Sequence, residues 1–223
     1  MNSIFGGLLA CNAGWQRDLA VSYGKIGNVQ VAQGDPAGAL ASYREDLAIS
    51  ERLAKSDPGN TDWQDDLAAS YMKIGAVQIA QRDLASALKI YRDGFAIFDR
   101  LAKSDPTNTS KLHHLAGASD FIGNVQVEQG DLAGARASYR GSVAILEPLA
   151  KSDPSNVGWQ SNLVENYAKL ADVYRRSNDP NDALDVLRRG QAIMNRLVKL
   201  SPENAGWKRV LVWFDQQIAA LTK

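Results

Sequence analysis

Residues 14–60 read GWQRDLAVSYGKIGNVQVAQGDPAGALASYREDLAISERLAKSDPGN, and the chain then says nearly the same thing again. Leu53-Ala-Lys-Ser-Asp-Pro58 returns letter for letter at 101–106 and at 149–154, and a looser copy, Leu197-Val-Lys-Leu-Ser-Pro202, follows. Trp15, Trp63, Trp159 and Trp207 lie on a ladder of 48-residue steps, with Lys111 on the missing rung. A fixed period of this size means stacked supersecondary units, each unable to bury its own apolar face without a neighbour.

Inside the unit the letters divide into two helices. Trp15, Leu19, Tyr23, Ile26, Gly27 and Gln30 follow a helical stripe, repeated by Trp63, Leu67, Tyr71, Ile74, Gly75 and Gln78 and by Trp159, Leu163, Tyr167, Leu170 and Ala171. This predicts a first helix of about 20 residues in each unit. A short turn follows. Gly34, Arg82, Gly130 and Asn178 occupy its left-handed position, which strains only the arginine, and Asp35, Asp83, Asp131 and Asp179 are the expected N-caps of a second helix. So short a turn makes the two helices antiparallel neighbours. The second helix carries Ala39, Leu40, Tyr43, Leu47 and Leu53 and their copies, with Gly27 and Ala39 small enough for close approach. It ends on Lys55 and its copies, which suit the helix dipole, and before Pro58 and its copies, which stop it. Asn60, Asn108, Asn156 and Asn204 are candidate caps for the next first helix.

The predicted architecture is all-α: an α-solenoid, a right-handed superhelix of antiparallel helix pairs, about nine helices in all. Units fall at 13–60, 61–108, 109–156 and 157–204. Residues 205–223 form a C-terminal capping helix on the stripe Trp207, Leu211, Ile218 and Ala219. Residues 1–12 are expected to be an N-terminal cap or truncated half-repeat. The tryptophan ladder is expected to be core.

Tyr23-x-x-Ile26-Gly27, then Gly34-Asp35, then Ala39-Leu40-x-x-Tyr43 resembles the tetratricopeptide repeat. Leu47-Ala48-Ile49-x-Glu51-Arg52-Leu53, closing on Asp57-Pro58, is similar to the long-helix variety of kinesin light chains and many bacterial arrays. The resemblance covers nearly all of residues 13–223, with two departures. The unit is long at 48 residues, and the third copy has Lys111 and Ser119 where the others have Trp and Tyr. It implies a non-catalytic interaction scaffold that holds a peptide or partner protein in a concave groove lined by the first helix of each unit. The residues placed there are Arg17, Val21, Gly24 and Asn28, then Met72 and Ala76, then His113, Asp120 and Asn124, then Asp172 and Arg175. Asn28 and Asn124 are suited to hydrogen-bond a peptide backbone, since an amide both donates and accepts. The carboxylate clamp of some relatives needs Lys or Arg within the groove, and positions 24, 72, 120 and 168 are Gly, Met, Asp and Ala.

The composition narrows the other classes. With 25 Lys and Arg against 25 Asp and Glu there is no excess of positive charge to neutralise phosphates, which argues against nucleic acid. One cysteine, Cys11, excludes an internal disulfide and a cysteine-based zinc site. Leu8-Leu9-Ala10-Cys11 resembles a lipobox, but no Lys or Arg precedes Arg17, so a cytoplasmic location is expected, with a Cys11-anchored lipoprotein as the alternative. No apolar run is long enough for a membrane span. Adjacent His113 and His114 cannot hold a metal as an i, i+4 pair does, and no glycine pattern matches a nucleotide loop, so no cofactor is expected. Two other readings stay open: a regulatory or sensor fragment of a larger bacterial signalling protein, and an array that self-assembles into a homo-oligomer through its open ends.

Overall fold

The computed structural model describes the backbone of residues 2–222 and the side chains of residues 12–222, so Cys11 and most of the expected N-terminal cap lie outside the described side chains. Among the described residues there are nine helices and no strand: α1 (Asn2–Ala32), α2 (Pro36–Ser56), α3 (Thr61–Ala80), α4 (Leu84–Ser104), α5 (Thr109–Glu128), α6 (Leu132–Ser152), α7 (Val157–Arg176), α8 (Pro180–Leu200) and α9 (Ala205–Leu221). The chain forms two compact units, Met1–Lys111 and Leu112–Lys223. In each unit helices pack on their neighbours in sequence, α1 on α2 on α3 on α4 in one and α6 on α7 on α8 on α9 in the other, so antiparallel pairs stack as the period requires.

The punctuation works by local chemistry. Residues 34, 82, 130 and 178 all take a left-handed φ, between 61° and 79°. Asp35, Asp83, Asp131 and Asp179 donate their backbone N–H back to Gln30, Gln78, Gln126 and Tyr174, which closes the last turn of each first helix. Three of the four aspartates then cap the next helix, accepting from the N–H of Gly38, Ser86 and Gly134. Asp179 does not. It makes no side-chain cap bond and pairs with Arg136 at 3.2 Å. Asn60, Asn108, Asn156 and Asn204 all cap as expected.

The small residues admit large ones. Gly27, Gly75 and Gly123 lie directly against the rings of Tyr43, Tyr91 and Tyr139, where any Cβ would clash. Tyr91 is 1% exposed, and burying such a ring stabilises by about 2–3 kcal/mol. At the end of the chain Phe214, rather than the stripe residue Ala219, is the buried anchor of α9, with its ring against Gly190.

The tryptophan ladder departs from expectation. Trp63, Trp159 and Trp207 are half-buried at the edge of the core, and Trp15 is 74% exposed. Leu19 and Ile26 on the same stripe are about half exposed, at 50% and 49%, whereas their copies Leu67 and Ile74 are at 9% and 3%. The physical reason is a missing neighbour. The stripe of α3 is covered by α2, and no helix covers that of α1 among the described residues.

Candidate functional site

The face assigned to ligand is also the face on which consecutive first helices meet. In the first unit Arg17 of α1 reaches Asp66 of α3 with a forked pair, Nε to Oδ2 at 2.5 Å and Nη2 to Oδ1 at 3.3 Å. Val21 is exposed beside this pair, at the rim of a small cavity that Trp63 and Ala69 also line. Gly24 is buried, and a Cβ there would sit 2.7 Å from Lys73 Nζ and 2.9 Å from Asp46 Oδ2. Its smallness admits an ion pair, Lys73 to Asp46 at 2.9 Å, with the carboxylate only 5% exposed. Asn28 is exposed, and its Oδ1 accepts from Tyr43 Oη at 2.7 Å. Met72 lays its methyl group over Gly94, and Ala76 is exposed.

In the second unit the same columns carry other chemistry. His113 Nε2 lies 2.7 Å from Asn162 Nδ2, and in the neutral ring it accepts that N–H. Burial, then the neighbouring His114, holds the His113 pKa below the usual histidine value. Asp120 receives Lys169 at 2.8 Å, and Lys169 also reaches Glu165 at 2.8 Å. Burial raises the Asp120 pKa against the opposing pull of Lys169. Burial works the other way on Lys169, but bonds to Asp120 and Glu165 outweigh it and raise its pKa. Asn124 donates to Asp120 at 3.2 Å and accepts from Tyr139 Oη at 2.8 Å. Asp172 lies 3.7 Å from Arg176 one turn on, and Arg175 donates to Gln217 of α9 at 2.6 Å. Of the eleven residues, Val21, Asn28, Ala76, Asp172 and Arg175 are the exposed ones. The polar remainder ties neighbouring helices together.

A second set of polar contacts locks α2 to α3 in the first unit and α6 to α7 in the second. Gln64 donates to the carbonyl of Ala54 at 3.0 Å and accepts from Arg100 at 2.6 Å, so α2, α3 and α4 meet at one amide. Gln160 does the same with Ala150 at 2.6 Å and Arg196 at 2.5 Å. Tyr71 donates to Glu51 at 3.2 Å and Tyr167 to Glu147 at 2.6 Å. Burial and then Glu51 push the Tyr71 pKa up to about 12, so the phenol stays a donor at neutral pH.

Residues 19–58 match the family model of the tetratricopeptide repeat. Among solved structures the chain is similar to BtubC (BKLC) from P. vanneervenii, with TM-score 0.64 and 15% identity over 80% of this chain and 64% of that one. It is similar to RapI in its apo form, with TM-score 0.63 and 15% identity over 92% and 70%. It is also similar to the yeast histone chaperone Hif1, with TM-score 0.66 and 10% identity over 95% and 98%. The chain thus spans just under two thirds of BtubC and rather more of RapI. One repeat of the chain thus matches the tetratricopeptide family by sequence, and the chain as a whole shares the fold of these solved repeat arrays. Compared by sequence with curated proteins, the array matches none.

Among its described residues, no helix of the array is long and apolar enough to cross a membrane. Sequence reading of the array missed Lys73, Asp66, Lys169 and Asn162, which hold the candidate face together. A signal was present. Reading one column against another shows Gly24 with Asp46 in one copy and Asp120 with Ser142 in another, a carboxylate exchanged between two helices that both face the same lysine column.

Proposed function

We propose that this chain is a non-catalytic protein-interaction scaffold that holds an extended peptide or a partner protein on the face formed by the first helices, the face that lines the concave groove in this family. The observation that carries the reading is the Asn28 amide. Tyr43 fixes its oxygen at 2.7 Å, while the side chain is exposed and its NH2 has no partner among the described residues. A donor pair held in place by its own oxygen gives a peptide carbonyl a preorganised partner, because little side-chain freedom is lost on binding. Exposed Val21 and Ala76 add apolar and small surface to the same face, as an extended segment needs. Asn124 is oriented by Tyr139 in the same way, but its NH2 is drawn to Asp120, so the second unit offers a more acidic version of the position. One of the structural relatives, Hif1, is described as a scaffold protein recruiting protein complexes to core histones, which fits the class and not the partner.

The test is a pull-down with the immobilised chain, run beside Asn28→Ala and Tyr43→Phe. Partners held by the wild type and released by both variants support the reading. Tyr43→Phe loosens the amide without removing it, so a partner lost with Asn28→Ala alone still implicates the donor. Partners retained equally by all three overturn the face as drawn.

A further inference from the structure

The outer stripe of α1 repeats, letter for letter, the residues with which α3 holds α2. Trp15, Gln16, Leu19, Tyr23, Lys25 and Ile26 correspond to Trp63, Gln64, Leu67, Tyr71, Lys73 and Ile74. On α3 each of these has a task. Leu67 and Ile74 are buried, and Trp63 packs beside Ile49 and Leu53 of α2. Gln64 donates to the Ala54 carbonyl, Tyr71 to Glu51, and Lys73 to Asp46. The α6–α7 joint repeats the same docking chemistry with Gln160 on the Ala150 carbonyl and Tyr167 on Glu147. The two helices so held share one phrase. Ile49-Ser-Glu51-Arg-Leu53-Ala54 and Ile145-Leu-Glu147-Pro-Leu149-Ala150 both read Ile-x-Glu-x-Leu-Ala.

On α1 the apolar members of the set are turned to solvent, and Gln16 and Tyr23 are half-buried. Trp15 is 74% exposed, Leu19 50% and Ile26 49%. Lys25 is exposed, and among the described residues Gln16 bonds only to Asn12 one turn away, at 2.9 Å. Exposed apolar residues that occur singly need no explanation, but here they form a stripe interleaved with the glutamine and tyrosine donors of a docking site used twice elsewhere in the chain. The donors also set the charge of what fits: on α3 the tyrosine and the lysine reach Glu51 and Asp46 of one helix, so Tyr23 and Lys25, from opposite edges of the stripe, call for two carboxylates on the incoming helix.

We propose that the outer face of α1 is an acceptor site for an amphipathic helix carrying Ile-x-Glu-x-Leu-Ala in its last turns, with an acidic residue one turn before the isoleucine. The isoleucine and leucine pack on Trp15, Leu19 and Ile26, the glutamate accepts from Tyr23, and a carbonyl near the helix end accepts from Gln16. This surface is distinct from the peptide face of the proposed function, and either can stand without the other.

The probe is a fluorescein-labelled peptide of residues 36–58 of this chain, titrated into the full-length protein and read by anisotropy. Saturable binding is expected. It should weaken by about tenfold or more with Leu19→Glu and with Ile26→Glu, both exposed positions where the fold has little to lose. A Leu53→Asp peptide should not bind. No binding by the wild-type peptide overturns the proposal. So does binding that survives Leu19→Glu, because the peptide has then displaced α2 from α3. A concentration-dependent dimer in sedimentation, abolished by Leu19→Glu and not competed by the peptide, also overturns it by making a second copy the occupant.

Discussion

Lys73 and Lys169 stand in the same column of the repeat and use opposite sources for the same charge. In the first unit the carboxylate comes from the second helix, as Asp46, and Gly24 on the first helix is kept small to admit the lysine. In the second unit it comes from the first helix, as Asp120, and the Asp46 position is Ser142, whose hydroxyl is buried without a partner. The backbone arrangement is common to both. What differs is the wiring laid over it, and a cation that cannot reach bulk water freely dictates only that some carboxylate be near. The comparison teaches that polar contacts between repeats are interchangeable in origin and fixed in kind.

Asp46→Ala breaks that rule most severely. Lys73 is left partly buried with no acid in place, and the loss should be about 2–3 kcal/mol, less than the roughly 3–5 kcal/mol of a fully buried pair because Lys73 remains a third exposed. Asp120→Ala should cost less, about 1 kcal/mol, because Lys169 keeps Glu165 at 2.8 Å. The sharper test is the transplant. Asp46→Ser combined with Gly24→Asp rewires the first unit in the manner of the second, and urea denaturation should show most of the lost stability restored. A double variant no more stable than Asp46→Ala would mean that the two joints are not equivalent.

The copies of the repeat also differ at the amide that joins three helices. Gln64 with Arg100 and Gln160 with Arg196 are replaced on α5 and α6 by Leu112 and Pro148. Pro148 sits inside α6 and cannot donate to the carbonyl one turn back, a loss worth about 3 kcal/mol in a helix interior. Pro148→Ala should therefore stabilise the protein, by about 2 kcal/mol once some relaxation of the native helix is allowed for. An unchanged midpoint in thermal unfolding would show that the surrounding packing already offsets the missing donor.

How far such differences could be read beforehand depends on range. Caps, turns and helix ends follow from letters two to six residues apart, and Asn60, Gly34 and Asp83 were legible as soon as the period was seen. Burial of the stripe was legible only as a conditional statement. Leu67 and Leu19 are the same letter in the same local setting, and a neighbouring helix makes one 9% exposed and the other 50%. The site residues were harder still. Arg17 reads as a groove residue until Asp66, 49 positions on, is found holding it. Asp179 likewise reads as a cap until Arg136 takes it. Single columns carry packing, but ties between repeats are carried by pairs of columns.

Gln78 shows a broken pair of this kind. Gln30 accepts from Ser42 at 2.7 Å and Gln126 from Ser138 at 2.7 Å, whereas Gln78 faces Ile90 in that column and its carbonyl oxygen is orphaned. Ile90→Ser restores the donor and should recover about 1 kcal/mol from the hydrogen bond, less what the lost isoleucine contact contributed. The comparison is sharpened by the reverse change. Ser42→Ile in the first pair should leave Gln30 in the state of Gln78 and lower stability, and a rise in stability on that change would refute the pairing.

The smallest effect concerns His113, which stands where the first unit has Arg17. Arg17 meets a carboxylate, Asp66, and its charge is stabilised, while His113 meets the neutral amide of Asn162, and burial disfavours its charge. An unfolded histidine takes its proton near pH 6.5, and the folded one does so lower. Above pH 6.5 both states are neutral and the contribution is constant. As the pH falls through that value the unfolded chain binds the proton first, and folding stability declines until the folded pKa is passed. His113→Gln keeps an acceptor for Asn162 and removes the titration. Its melting temperature should therefore fall less than that of the wild type between neutral pH and about pH 5. Arg17→Gln should leave that slope unchanged, because the guanidinium is charged throughout the range. Equal slopes for wild type and His113→Gln would place the pH sensitivity elsewhere in the second unit and remove the distinction drawn between the two positions.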